Sequence, residues 1–166
     1  MGHESLGMNM IMDESIEAVV ARLAIAHGGR RGALLPLLHD LQQAAGKVDD
    51  MAVAAVAAAL NLSRAEVHGV VSFYHDFRHA PAGRHIVKYC RAESCQSRGG
   101  AAIEAALARR LDVAMGETRG DGQVTLEPIY CLGLCAVGPS ALVDGTPVAR
   151  IDGDAAIERI AATVAA

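Results

Sequence analysis

The 166-residue sequence predicts an α+β chain in two parts. A helical bundle occupies 13–80, and a small sheet with helices packed on it occupies 84–166, behind a flexible start at 1–12. Three observations predict this. Apolar residues recur at helical spacing as far as about residue 80. β-rich runs begin only after Pro81-Ala-Gly83, a boundary signal. Hydrophobic residues make up 52% of the chain, but aromatics only 3%, and alanines number 32. A core of that composition is built from closely packed helices with small side chains.

Each element has its own signal. Residues 13–27 place Ile16, Val19, Val20, Leu23 and Ala24 on one helical face, with Asp13, Glu14 and Glu17 at the end where the helix dipole favours acids. Gly28 and Gly29 stop this helix, and Arg30 and Arg31 follow its C-terminal end. A second helix covers 33–45 through Leu34, Leu35, Leu37, Leu38 and Leu41, with Pro36 in its first turn and Gly46 beyond its end. A third, alanine-rich, covers 50–60 and ends at Asn61. Ser63-Arg-Ala-Glu66 is a capping box, in which the Ser and Glu side chains satisfy free backbone N–H groups, and it opens a fourth helix toward Phe73 and Tyr74. Beyond the boundary, His85–Cys90 is a short β-rich run, and 100–111 is a helix with Ile103, Leu107 and Leu111 on one side. Val124–Tyr130 is a second strand. Ala141–Val143 and Val148–Ile151 make a hairpin around Asp144-Gly145-Thr146. A helix over 153–166 closes the chain. The order β-α-β-β-α fits a thioredoxin-style arrangement.

Several function classes are excluded early. Fifteen Lys+Arg against nineteen Asp+Glu give a net charge of −4, and there is no Trp. Nucleic-acid binding rests on many cationic contacts to phosphate and on aromatic stacking, so no nucleic-acid partner is expected. Residues 50–71 read as a helix–turn–helix, yet the second helix offers only Arg64 to a base edge. The longest apolar run, Met51–Leu60, is far short of the roughly 20 residues that span a bilayer. No basic-then-apolar leader opens the chain, and Leu6 stands where a myristoylation signal wants Ser or Thr. A cytoplasmic location is expected. Walker A and GxGxxG patterns are absent, so NAD would be handled by another chain. None of the seven His pairs with an acid at metal-site spacing. His39 and His68 read as structural residues on helices, and His75 and His79 lie near the interdomain segment.

The chemistry lies in the cysteines. Cys90 and Cys95 form C-x4-C; after 35 residues, Cys131 and Cys135 form C-x3-C. Both pairs directly follow a predicted strand. Three chemistries compete. Two disulfides would run against a reducing compartment. Structural zinc suits four thiolates, but its knuckles usually have C-x2-C spacing. A [2Fe–2S] cluster also takes four thiolates, and because two irons lie side by side, two separate loops can each grip one end. Neither pair is the C-x-x-C of a disulfide exchanger. Lys88, Arg91 and Arg98 lie beside the first pair, where positive charge and N–H donors would stabilise a reduced, more negative cluster. Gly99, Gly100, Gly133 and Gly138 allow close backbone approach.

Cys90-Arg-Ala-Glu-Ser-Cys95 and Glu127-Pro-Ile-Tyr-Cys-Leu-Gly-Leu-Cys-Ala-Val-Gly-Pro-Ser140, with the gap between them, resemble the thioredoxin-like [2Fe–2S] subunits of NADH-linked redox complexes, the family of the 24 kDa subunit of complex I. Glu66-Val-His-Gly-Val-Val-Ser-Phe-Tyr74 is similar to that family's helical N-terminal part, and Gly116–Leu126 to its G-x-T-x-D-G-x-F-T-L stretch, with Val124 where Phe is common. The resemblance spans about 14–165. It implies an α+β chain whose helical bundle precedes a thioredoxin-like α/β domain, and a role in electron transfer with no catalytic residue of its own. It implies one [2Fe–2S] cluster, with Cys90 and Cys95 on one iron and Cys131 and Cys135 on the other. It also implies a direct flavin- and NAD-binding partner subunit. Tyr74-His-Asp-Phe-Arg78 and Cys90–Gln96 look most like the gamma subunit of soluble NAD-dependent molybdenum formate dehydrogenases. That subgroup would place FMN, further Fe–S clusters and a molybdenum cofactor on partner subunits, one of them the molybdenum-containing catalytic chain. Complex I and NAD-linked hydrogenases are the sister hosts of the same module.

Overall fold

The computed structural model describes residues 14–28 and 30–165. The expected flexible start at 1–12 lies outside them, as do Asp13 and Gly29. The chain divides into two compact units, one up to Pro81 and one from Ala82.

The first unit is helical: α1 (Ile16–His27), α2 (Leu34–Ala45), α3 (Asp50–Leu60) and α4 (Arg64–Phe73). Polar caps set the starts of α1, α3 and α4. Ser15 accepts from the Ala18 N–H, and Asp49 from the Ala52 N–H. At Ser63 the expected capping box is complete, with Glu66 reaching back to the Ser63 N–H at 2.8 Å. Gly46 and Asn61 close α2 and α3 in the left-handed conformation. The core joins Val19, Val20 and Leu23 of α1 to Leu37, Leu38 and Leu41 of α2 and to Val53 and Val56 of α3. Phe77 completes it from beyond α4, and the His39 ring packs on Phe77 with centroids 5.0 Å apart. Gln42 fastens this last stretch by donating to the Asp76 carbonyl and accepting the Arg78 N–H. His68, read from sequence as a satisfied structural residue, is exposed on α4, and His75 and His79 are exposed as well.

The second unit contains β1 (His85–Cys90), α5 (Glu93–Gln96), α6 (Gly100–Leu111), β2 (Glu117–Thr118), β3 (Val124–Ile129), a 3-10 turn at Cys135–Val137, β4 (Ala141–Val143), β5 (Thr146–Val148) and α7 (Asp154–Thr163). The five strands form one mixed sheet in the order β2-β3-β1-β4-β5. β1 and β3 are parallel, and the other pairings are antiparallel. Parallel neighbours need a crossover, and α5 and α6 supply it. Val87, Tyr89, Leu126 and Ala141 of the sheet pack with Leu107 and Leu111 of α6 and Ile157 and Ile160 of α7. Among the described residues no helix is long and apolar enough to cross a membrane.

Three details differ from the sequence expectation. The one-turn α5 and the two-residue β2 are additional elements; both residues of β2 are exposed, so no alternation marks it. The last strand is Thr146–Val148, not Val148–Ile151. Asp144 and Gly145 both have positive φ (49° and 79°), so a two-residue turn returns the chain at once, and Arg150 at φ 53° breaks the extended run. β3 ends at Ile129, one residue before Tyr130.

Candidate metal centre

β1 and β3 run parallel with Cys90 opposite Ile129, so the chain leaves both strands at the same end of the sheet. Each strand therefore delivers its cysteine loop to one place. The loop after β1 turns through Arg91, whose N–H bonds the Ile129 carbonyl, and then into α5, which carries Cys95. The loop after β3 starts with Tyr130 and Cys131, reaches Cys135 at the 3-10 turn, and returns toward β4 through Ser140. The Ser140 carbonyl accepts the Cys90 N–H at 3.0 Å.

The four cysteines are free thiols. Cys90 and Cys95 are buried, each 2% exposed, whereas Cys131 and Cys135 are exposed. Cys131 Sγ lies 3.8 Å from Cys135 Sγ. The two loops are joined through sulfur. Cys90 accepts from the N–H groups of Cys131 and Leu132 as well as from that of Ala92. Burial pushes the Cys90 thiol up, but these donors and the Cys95 thiol outweigh it and hold its pKa below the ordinary thiol value. Cys95 is pushed up, first by burial and then by its hydrogen bond with Cys90, against the opposing pull of the Ser140 hydroxyl and N–H. Ser140 is 1% exposed, and its Oγ lies 3.9 Å from Cys95 Sγ. Cys131 adopts a positive φ of 73°, a conformation L side chains rarely take, and accepts the Gly133 N–H at 3.4 Å. Strain of this kind concentrates at functional sites.

Two glycines make room for the first pair. A Cβ at Gly100 would sit 2.7 Å from the Cys95 carbonyl oxygen, and one at Gly138 would sit 3.2 Å from Cys95 Sγ. Next to Cys90, the fully buried Tyr89 donates its hydroxyl to the Gly100 carbonyl at 3.0 Å. Burial, followed by the nearby Cys95, raises its pKa above the usual phenol range. The flanking cations have partners within the protein. Arg91 pairs with Glu104 at 3.0 Å, and Lys88 with Glu127 at 3.7 Å. Arg98 donates to the carbonyls of Ala136 and Gly138 in the second loop. The roles of Ser140 and Tyr89 have no local signal in the sequence, because their contacts reach Cys95 and Gly100, 45 and eleven residues away. Among the described residues, no three His, Cys, Asp or Glu side chains converge on a single point as the ligands of one ion would.

The family model for thioredoxin-like [2Fe–2S] ferredoxins matches residues 16–164. The chain belongs to this family. Among relatives of this ferredoxin, the E-type chain of the NADH-quinone oxidoreductase of Escherichia coli K12 is 38% identical over 114 residues, 69% of each chain. Its counterpart in Pseudomonas aeruginosa is 32% identical over 114 residues, again 69% of each chain. Among solved structures, the NAD+-reducing [NiFe]-hydrogenase in its air-oxidized state superimposes with a TM-score of 0.66 at 27% identity, over 80% of this chain. The match spans only 22% of that hydrogenase chain.

The residues present suit the cluster for which the family is named. A two-iron cluster needs two thiolates at each end, and the thiols come as two pairs held side by side. It also needs donors at the sulfurs, and the N–H groups of Ala92, Cys131, Leu132, Gly133 and Ser140 supply them.

Proposed function

We propose that this chain is the electron-transfer subunit of an NAD-linked oxidoreductase, holding one [2Fe–2S] cluster through Cys90, Cys95, Cys131 and Cys135 beside a flavin- and NAD-binding subunit. The observation that carries this reading is the delivery of two thiol pairs to one end of the sheet by two parallel strands, with backbone donors aimed at sulfur. The cluster supplies a one-electron centre able to exchange single electrons with a flavin. The chain's own residues do the rest. Cys90 and Cys95 form the buried end, and Ser140 and the N–H donors stabilise negative charge on the sulfurs. Cys131 and Cys135 form the end open to a partner. Formate and NAD turnover belong to other subunits, so the isolated chain is inactive toward both.

The host we favour is a cytoplasmic NAD-dependent formate dehydrogenase. Electrons from formate at a molybdenum subunit would there reduce NAD+ by way of FMN and further Fe–S clusters. Tyr74–Arg78 and Cys90–Gln96 support this host by resemblance. The NADH-quinone oxidoreductase relatives and the hydrogenase match keep complex I and hydrogenase diaphorases as the alternatives. Anaerobic co-purification of the native complex, with metal analysis and EPR, separates them. Two irons per chain with flavin and molybdenum subunits are expected. Membrane complex I subunits, or a nickel subunit, in the same fraction would move the chain to the sister host. Zinc without an EPR signal would remove the electron-transfer reading. Cys→Ser at each of the four positions should abolish or severely weaken the visible iron–sulfur absorbance, and four unchanged spectra would refute the ligand assignment.

A further inference from the structure

Arg98 stands three residues after Cys95, where the chain passes from α5 to α6. One of its terminal nitrogens, Nη1, donates to two carbonyls of the other cysteine loop, Ala136 at 3.3 Å and Gly138 at 3.1 Å. These carbonyls alternate with two others that are bonded elsewhere. The Val137 oxygen accepts the Arg150 N–H at 2.8 Å, and the Pro139 oxygen accepts the Ile151 N–H at 3.0 Å. The carbonyls of residues 136–139, which lead out of the 3-10 turn, are thus bonded in alternation to a single guanidinium and to backbone N–H groups. This stretch begins next to Cys135 and ends at Ser140, whose hydroxyl and N–H face Cys95. Its Gly138 lies against the Cys95 sulfur.

We infer that Arg98 is a positioning residue that sets the separation of the two thiol pairs by clamping the Cys135–Ser140 stretch to the Cys95 loop. The inference rests on the cluster reading above and deepens it. Arg98 touches no sulfur; it acts through carbonyls on the loop that carries Cys135. Both bonds come from the one nitrogen Nη1, which the stiff, planar guanidinium holds between two acceptors two residues apart, whereas a lysine ammonium is a point charge on a flexible stem. Hydrogen bonds from charged donors are the stronger kind, so their loss should show in how firmly the cluster is retained.

The test uses the full chain loaded with iron and sulfide under anaerobic conditions, as wild type, Arg98→Ala and Arg98→Lys. Cluster release to an iron chelator is followed by visible absorbance, and the reduced samples are compared by EPR. Arg98→Ala should release its cluster roughly tenfold faster or more, with a broadened EPR line from a less uniform site. Arg98→Lys should fall between the two. The thermal midpoint of the apoprotein should fall by only a few degrees in either variant, about what the loss of one or two hydrogen bonds costs. Equal release rates and line shapes for Arg98→Ala and wild type would overturn the inference. So would full recovery in Arg98→Lys, which would make charge alone sufficient, or a large fall in apoprotein midpoint, which would make Arg98 a general stability residue. A wild-type chain that takes up no cluster would refute the cluster reading itself and this inference with it.

Discussion

Cys95 is enclosed on several sides: Ser140 faces its sulfur from the second loop, Gly138 lies against that sulfur, and Gly100 lies against its backbone carbonyl. Two outcomes follow from that enclosure. Ser140→Ala removes a hydroxyl donor near the sulfur but leaves the backbone N–H in place. One such hydrogen bond contributes about 1 kcal/mol, which for a one-electron couple is some tens of millivolts. Protein-film voltammetry should therefore show a potential lower than wild type by that order. Gly100→Ala drives a methyl group toward the Cys95 carbonyl, a backbone atom with little freedom to retreat. Iron analysis after reconstitution should show less than half the wild-type occupancy, and full occupancy would mean that the loop yields easily. The placement of the four cysteines in two loops, one after each parallel strand, was legible in the sequence because spacing after strands is a local signal. The surroundings were not. Arg91, expected beside the sulfurs, is held by Glu104 thirteen residues away, and the Ser140 contact with Cys95 closes over 45 residues. Such pairings depend on strand register, which one sequence does not display.

The elements themselves divide in the same way. The four helices of the first unit, their Ser63–Glu66 box and their stops at Gly46 and Asn61 were legible because caps and 3.6-residue periodicity are written within a few residues of each other. Ser63→Ala should cost about 1 kcal/mol of helix stability, measured as a lower chemical-denaturation midpoint at unchanged m-value. In the second unit, β1, β3, α6 and α7 were legible by apolar runs, and the Asp144-Gly145 turn by its residues. The strand after that turn was misplaced because its end is decided by Arg150, a non-glycine residue at positive φ that no sequence rule marks. β2 exists only because Glu117 and Thr118 find β3 as a partner. A two-residue strand has no pattern of its own.

At the scale of the whole molecule, the two hydrophobic clusters share no residue: one draws on α1–α4 and Phe77, the other on the sheet with α6 and α7. Each is therefore a candidate for independent folding. A fragment beginning at Ala82 should fold and take up two irons with an EPR signal like that of the full chain, while losing co-purification with the flavin subunit if the helical unit carries the docking surface. A fragment that precipitates or stays free of iron would show instead that the helices are needed to complete the cluster fold. The unequal burial of the thiols has a practical consequence for any such preparation. An alkylating reagent added to an iron-free sample should mark Cys131 and Cys135 before Cys90 and Cys95, so a brief exposure followed by peptide mass spectrometry makes the labelled fraction of the outer pair a gauge of vacancy in mixed material, even where colour is too faint to measure.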